Sequence, residues 1–414
     1  MQMALIFSVP SLCPRLQYIA NQLFKNWYAI PCDFRVDPNL PPLSYQISYQ
    51  KQVVFSCSES HIFFNTAIPN TPNWTPNDPD WMQKDWLGMA FFSLCRAEEY
   101  GGFVPDKHGR FPYTASFAYD CGMLQEPWID QWVQTFVLQH QIACVMPQYS
   151  CLPTLDIDMT HAVLGRPWWR ALPAFVRSVL KGTAINRLQI LNGTMPDPYD
   201  NFDYQLQVFD QKQVQATYFF QAGAYGKFDK NIDPGHPLFV SKVRQVMEKH
   251  IVGVHPSYGS YLNSGQVDAE MQALNRITLK TIRHSRQHFL RFSLPRSYPL
   301  LEDLGIRNEY SMGYAEVPGF RAGTGRSFFW FDLNQNKTSK LVIHPFCIMD
   351  VALQYFLKYS VDQALEEVAC FQNKLLAVHS TFSFCFHNES LSSVSGWEGW
   401  RRVFELACTN PDMP

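Results

Sequence analysis

Apolar and polar residues alternate through LSYQISYQ and KQVVFSCS near the N-terminus, a period of two that predicts short strands separated by Pro and Asn. The run FNTAIPNTPNWTPNDPDW that follows is dense in Pro and Asn and predicts an irregular linker. From Trp86 to Tyr100, within DWLGMAFFSLCRAEEY, the apolar residues fall on a helical stripe that stops at Gly101-Gly102. PWIDQWVQTFVLQHQ predicts a second helix. The pattern changes at about residue 150, where LPTLDID, QATYFFQAG and IVGVHPSY read as apolar strands. PWWRALPAFVRSVLKGTA and PLFVSKVRQVMEKH read as helices between them. Strand-helix alternation of this kind predicts an α/β domain with a parallel sheet or barrel over 151–414. A smaller α+β accessory domain is expected over 1–150.

Composition narrows the function classes. The chain has 414 residues, 46% of them hydrophobic, with 34 Lys+Arg against 36 Asp+Glu, so it can bury a sizeable core and is not intrinsically disordered. A net charge of −2 without a basic run argues against nucleic acid or an anionic membrane as the main partner. Eleven Cys are scattered and never form Cys-x-x-Cys, so neither a zinc-thiolate site nor a disulfide framework is legible, and a reducing compartment suits them. The start MQMALIFSVPSLCPRLQ lacks a charged n-region and is interrupted by Ser8 and Pro10, which favours the cytoplasm over secretion. No apolar run reaches the ~18 to 20 residues of a transmembrane helix.

Four places could carry chemistry. Asp156 and Asp158 in LDID end an apolar strand at positions i and i+2, which share a face and lie roughly 6 to 7 Å apart. One carboxylate of such a pair can hold a divalent cation while the other acts as a base. Asp-x-Asp is also common at solvated strand ends, and Asp158 could simply cap a helix. His255 in GVHPSY follows another apolar strand, where parallel strands gather ligands. His288 in RQHFLRFSLP sits in the next strand-like run beside Arg286 and Arg291, and regular alternation would send 288 and 291 to opposite faces. His387 in FCFHNE ends an alternating strand as an acid/base candidate or as part of a surface cluster. Trp168 and Trp169 read as core packing first and, with Tyr258, as sugar-stacking faces second.

Taken in order, LDID, YFFQAG, VGVHPSY, RQHFLRFSLPRSYPLLEDLGI, GFRAG and FSFCFHNESLS resemble the polysaccharide deacetylases of the NodB-homology type, carbohydrate esterase family 4. SLCRAEEYGGFVPDKHGRF is similar to the N-terminal domain of a Bacteroidetes branch of that group. The resemblance implies a distorted (β/α) barrel and one divalent metal, usually zinc, held by an Asp and two His. It implies that Asp156 is the base, Asp158 and His255 are metal ligands, and His387 is the acid. The family's second metal His would stand at position 259, which is Gly here, and His288 is the candidate substitute. Arg291 and Arg321 compete as the residue that orients the base. The implied activity is hydrolysis of N- or O-acetyl groups on a saccharide, and the alternative is a degenerate member that keeps the barrel as a carbohydrate-binding or scaffold protein. A glycosidase is disfavoured, because its two carboxyl groups must straddle the scissile bond and neighbours on one strand do not.

Overall fold

The computed structural model describes residues 3–65, 72–180, 184–392, 394 and 396–409. Strands β1 (Leu5–Val9), β2 (Cys32–Val36), β3 (Tyr45–Tyr49) and β4 (Gln52–Cys57) form a first sheet in the order β2-β1-β3-β4. Leu5, Phe7, Val9, Tyr45, Ile47 and Tyr49 are buried and the residues between them only partly so, the alternation of a one-sided sheet. Between β1 and β2 the chain is helical over Pro14–Ala20 and Asn21–Asn26, an element missing from the strand-rich expectation for this region. Leu16, Ile19, Ala20, Leu23 and Phe24 recur at helical spacing and are buried. Pro14 stands in the first turn, where a missing N–H costs no bond.

Residues 66–71 of the expected linker and 181–183 of the expected helical tract lie outside the described residues. The first predicted helix spans Trp86–Cys95 and stops before Gly101, because Arg96 takes a left-handed conformation with φ 54°. The second spans Trp128–Gln139.

The second sheet is large and mostly parallel. Its strands are β5 (Ser150–Ile157), β6 (Thr217–Phe220), β7 (Ile251–Val254), β8 (His284–Ser285), β9 (Asn308–Glu309), β10 (Phe328–Asp332), β11 (Lys337–Ile343), β12 (Ile348–Met349) and β13 (Thr381–His387). They pair in the order β10-β11-β9-β8-β7-β6-β5-β13-β12, and only β10 with β11 is antiparallel. From β5 to β9 each strand lies beside its predecessor, so the chain winds in one direction, and β13 then pairs with the free side of β5. The hydrogen-bonded order runs open from β10 to β12, whereas a closed barrel would need a pairing between those edges that is not present among the described residues. Parallel strands covered on both faces are apolar throughout, and all of β6 is buried. Gly253 in β7 permits this closeness, since a Cβ there would lie 2.7 Å from Phe219 and 2.8 Å from the His284 carbonyl.

One apolar core runs through both sheets, with the Phe331 ring 5.0 Å from Tyr18 and 5.1 Å from Phe91. A buried ion network adds to it. Glu99 takes Arg96 Nε at 2.7 Å and Arg321 Nη2 at 2.6 Å, and Arg96 also pairs with Glu98 at 2.7 Å. Removing one partner of such a network strands the others without charge compensation. Glu99→Ala is expected to cost about 3–5 kcal/mol of unfolding free energy, read as a lower urea midpoint. A loss under about 1 kcal/mol would show that the network carries little of the stability.

Candidate metal centre

Because β5, β6, β7, β8, β12 and β13 run parallel in one sheet, the residues at or just past their C-terminal ends collect along one edge of it. In β5, Leu155 and Ile157 point into the core while Asp156 occupies the other face, buried as well. Asp158 is the first residue beyond the strand and remains partly accessible. His255 follows β7, and its peptide N–H still donates to Phe220 O at 3.0 Å, extending the ladder by one rung. His288 follows β8 on a tight 3-10 turn, His288–Leu290, rather than on the strand-like run expected, because β8 ends at Ser285 and Phe289 takes φ 59°. The turn removes the alternation argument that set His288 and Arg291 on opposite faces.

Asp158 stands between the two imidazoles. Its Oδ1 lies 3.2 Å from His255 Nε2 and its Oδ2 lies 3.3 Å from His288 Nε2. Ligand atoms from all three residues fall within 4.8 Å of one another. Each ring is held from behind: His255 Nδ1 donates to the Arg286 carbonyl at 2.6 Å, and His288 Nδ1 donates to Asp229 Oδ1 at 2.9 Å. With Nδ1 carrying the proton, a neutral imidazole aims the Nε2 lone pair at its target, the arrangement by which outer partners orient metal-ligating histidines.

The donor set fits a divalent ion. Two lone pairs and a carboxylate facing one another repel unless a cation lies between them, and Asp158 Oδ1 is buried without a hydrogen-bond partner. For zinc bonds of about 2.0–2.1 Å, neighbouring ligand atoms in a tetrahedron are about 3.3 Å apart, close to the two separations found. Without an ion, burial would push the His288 ring down, but Asp158 and Asp229 on either side outweigh it and raise its pKa to about 9. Burial likewise opposes the charge on Asp158, and the two histidines outweigh it to hold that carboxyl well below its ordinary value.

A second group, Asp156, Cys385 and His387, is also close enough to share an ion, but its chemistry does not fit one. Arg286 Nη1 donates to Asp156 Oδ1 at 3.1 Å and the Cys385 thiol donates to Oδ2 at 3.4 Å. Burial holds the Cys385 thiol well above its usual pKa, so no thiolate is on offer. Asp156 is thus a paired carboxylate beside the ligands. His387, its register partner on β13, is bound by Asp350. Asp350 Oδ1 accepts from His387 Nδ1 at 2.8 Å and Oδ2 accepts from its peptide N–H at 2.7 Å, which leaves Nε2 for the cavity. Burial lowers the His387 pKa, yet the Asp350 charge and hydrogen bond overcome that and raise it to about 10.

All five of these strand-end side chains, Asp156, Asp158, His255, His288 and His387, line a cavity of about 340 Å³. Lys107, His108 and Arg110 form one wall, and Leu290, Met349 and Phe356 are among its apolar residues. The guanidinium on Asp156 belongs to Arg286, which corrects the choice between Arg291 and Arg321. Arg291 donates instead to the carbonyls of His108 and Tyr258, and Arg321 is committed to Glu99. Tyr258 packs on Phe228 with ring centroids 4.2 Å apart and is not among the cavity-lining residues. Trp168 is 78% exposed and also outside the cavity, so it is neither the core residue nor the stacking face expected. Gly259 lies on the Tyr258–Ser260 turn, where a Cβ would meet only Gln266, so His288 and not position 259 faces Asp158.

Arg286, Asp229 and Asp350 are the functional residues that the sequence reading missed. Arg286 and Asp350 had a signal, since each follows a short strand, and Arg-x-His at 286–288 mirrors the Asp-x-Asp of β5. Asp229 comes from a loop after β6 and had none.

The charge states above fix a pH dependence. A His288 pKa raised to about 9 contributes stability that is full below about pH 6.5 and is lost as pH rises through about 9. The depressed Asp158 carboxyl contributes stability present above about pH 4 and lost in stronger acid. Metal-free protein is therefore expected to have a lower urea midpoint at about pH 9.5 than at about pH 6. An unchanged midpoint would contradict the charge assigned to His288.

Residues 5–142 match DUF7033, a family of unknown function, and the match ends before β5 begins. No curated protein matches the sequence. Among solved structures, a Mycobacterium smegmatis protein provisionally described as a polysaccharide deacetylase is 14% identical with a TM-score of 0.41, over 64% of this chain and 85% of that one. A family 4 carbohydrate esterase from Streptomyces lividans, in complex with acetate, is 11% identical with a TM-score of 0.30, over 64% and 88%. A 4-alpha-glucanotransferase from Thermococcus litoralis is also 11% identical, with a TM-score of 0.37, over 64% and 38%. At these TM-scores the likenesses assign neither a reaction nor a substrate to this chain.

Proposed function

We propose that the chain is a metal-dependent hydrolase that removes acetyl groups, N- or O-linked, from a saccharide. The observation that carries the proposal is one cavity in which Asp158, His255 and His288 converge while Asp156 and His387 stand beside them on adjacent strands. The saccharide class rests on the order of motifs along the sequence, which resembles that of the NodB-homology deacetylases. The 1–150 region is treated as an accessory unit, and it supplies the basic wall of the cavity. We assign the cytoplasm as the compartment, because all eleven thiols are free and a reducing milieu suits them. No helix among the described residues is long and apolar enough to cross a membrane.

A divalent ion held by Asp158, His255 and His288, zinc by preference for this donor set, supplies Lewis acidity and lowers the pKa of water toward neutrality when bound. The chain's own residues handle the protons. Asp156, held in place by Arg286, accepts a proton from the water that forms the new C–O bond. His387, kept protonated at neutral pH by Asp350, gives its Nε2 proton to the leaving nitrogen or oxygen as the acyl bond breaks. Acetate and the freed amine or hydroxyl are the products.

Acetate release from N-acetylglucosamine oligomers and from O-acetylated xylan, with zinc-loaded protein, tests this reading. Asp156→Asn is expected to abolish turnover with zinc still bound, since an amide cannot take the proton. His387→Ala should lower kcat by about 10² to 10⁴ and change KM far less. Asp350→Asn should bring the alkaline limb of the rate below about pH 10, because the His387 ring loses the charge that raises it. An Asp156→Asn protein with undiminished deacetylation would overturn the mechanism.

A further inference from the structure

His288 opens a turn whose backbone is costly to hold. Phe289 and Leu290, the two residues after it, both take left-handed conformations, with φ 59° and 51°. Glycine enters that region freely, whereas a residue with a side chain pays free energy to do so. Two such residues in succession persist only where the surroundings hold them. Here a hold comes from a loop 179 residues earlier in the chain.

That loop, 106–110, is closed on itself. Asp106 Oδ1 accepts from the peptide N–H groups of His108 at 2.8 Å and Arg110 at 2.9 Å, and Gly109 makes the left-handed corner at φ 78°. Asp106 Oδ2 accepts from Arg110 Nε at 2.7 Å, which fixes the buried guanidinium. Its Nη1 then donates to the Phe289 carbonyl at 3.1 Å, and its Nη2 lies 3.4 Å from Glu316 Oε1. A bond runs in the reverse direction as well. Arg291, at the end of the turn, donates through Nε to the His108 carbonyl at 3.0 Å and through Nη1 to the Tyr258 carbonyl at 3.0 Å. Loop and turn thus exchange guanidiniums, each donating to the main chain of the other. Between them the His108 ring lies 5.0 Å from that of Phe289, which is 4.7 Å from the His288 ring.

We propose that Arg110 is a positioning residue for the metal ligand His288, so that the 1–150 region completes the metal centre rather than only walling its cavity. The proposal rests on the reading of Asp158, His255 and His288 as the ligand set. Asp229 orients the His288 ring through Nδ1, but the turn sets where the ring starts from. A metal ligand has to be held to within about 0.5 Å of its productive place. Arg110 grips the carbonyl one residue past the ligand, and its effect reaches the ion through that peptide.

Cobalt(II) titration of the metal-free full chain, followed by visible absorption, tests the proposal, because the bands report ligand geometry as well as affinity. Wild-type protein is expected to take one equivalent. Arg110→Gln should bind cobalt about 10- to 100-fold more weakly, with altered bands. Arg291→Gln cuts the opposite half of the clasp and should move affinity and bands the same way. Arg291 is only partly buried and donates to carbonyls, so its loss strands no buried carboxylate and decides the matter if Arg110→Gln does not fold. Arg110→Lys keeps the charge beside Asp106 and Glu316 but lacks the fork that serves Asp106 and Phe289 at once, so it should recover thermal stability without recovering cobalt affinity. Unchanged affinity and bands in both Gln variants would overturn the proposal and leave the metal centre standing. An affinity that only follows thermal stability across the three variants would overturn it too. Wild-type protein that takes up no cobalt would overturn the ligand set itself, and the proposal with it.

Discussion

Four carboxylates, those of Asp156, Asp158, Asp229 and Asp350, are drawn together at one edge of the parallel sheet, and offsetting their charge is the constraint on which the rest of the site depends. Arg286 answers Asp156 and a protonated His387 answers Asp350. If the imidazoles of His255 and His288 are neutral, two negative charges remain. Two extra protons, which make His255 and His288 donors to the Asp158 oxygens, or one divalent cation seated between the three side chains would restore balance.

The sheet makes this concentration of charge possible. Winding from β5 through β9 in one direction and then placing β13 on the free side of β5 brings His387 level with Asp156, although 231 residues of chain separate the two. Arg286 joins the halves of the site, its guanidinium on Asp156 and its carbonyl on His255 Nδ1. Its own peptide N–H donates to Val254 O at 3.1 Å, so the residue is tied to the β7 edge at two points and to β5 at a third. Side chains carried on such a frame are preorganised, which general acid–base chemistry requires.

What could be read from the sequence follows the range of each interaction. Strand period and helical stripe are local, so LDID, YFF and IVGV are legible as strands, and Asp158 and His255 just past the first and the last are legible as candidates. Partner choice is not local. The guanidinium that meets Asp156 depends on how the two-residue strand β8 and the turn after it place 286, 288 and 291, and the motif resemblance alone left Arg291 and Arg321 competing for that place. The Trp168 and Trp169 pair was read as core because aromatic residues on a helical stripe usually face inward. Here the stripe faces water.

The strand-edge cavity with its metal donor set gives the fold one working side. Of the claims made for that side, the position of the ion is central, and anomalous scattering at the zinc edge from crystals grown with zinc tests it most directly. A single peak is predicted within about 2.0–2.2 Å of one Asp158 oxygen and of Nε2 of both His255 and His288. A peak among Asp156, Cys385 and His387, or no ordered zinc at saturating concentration, would contradict it.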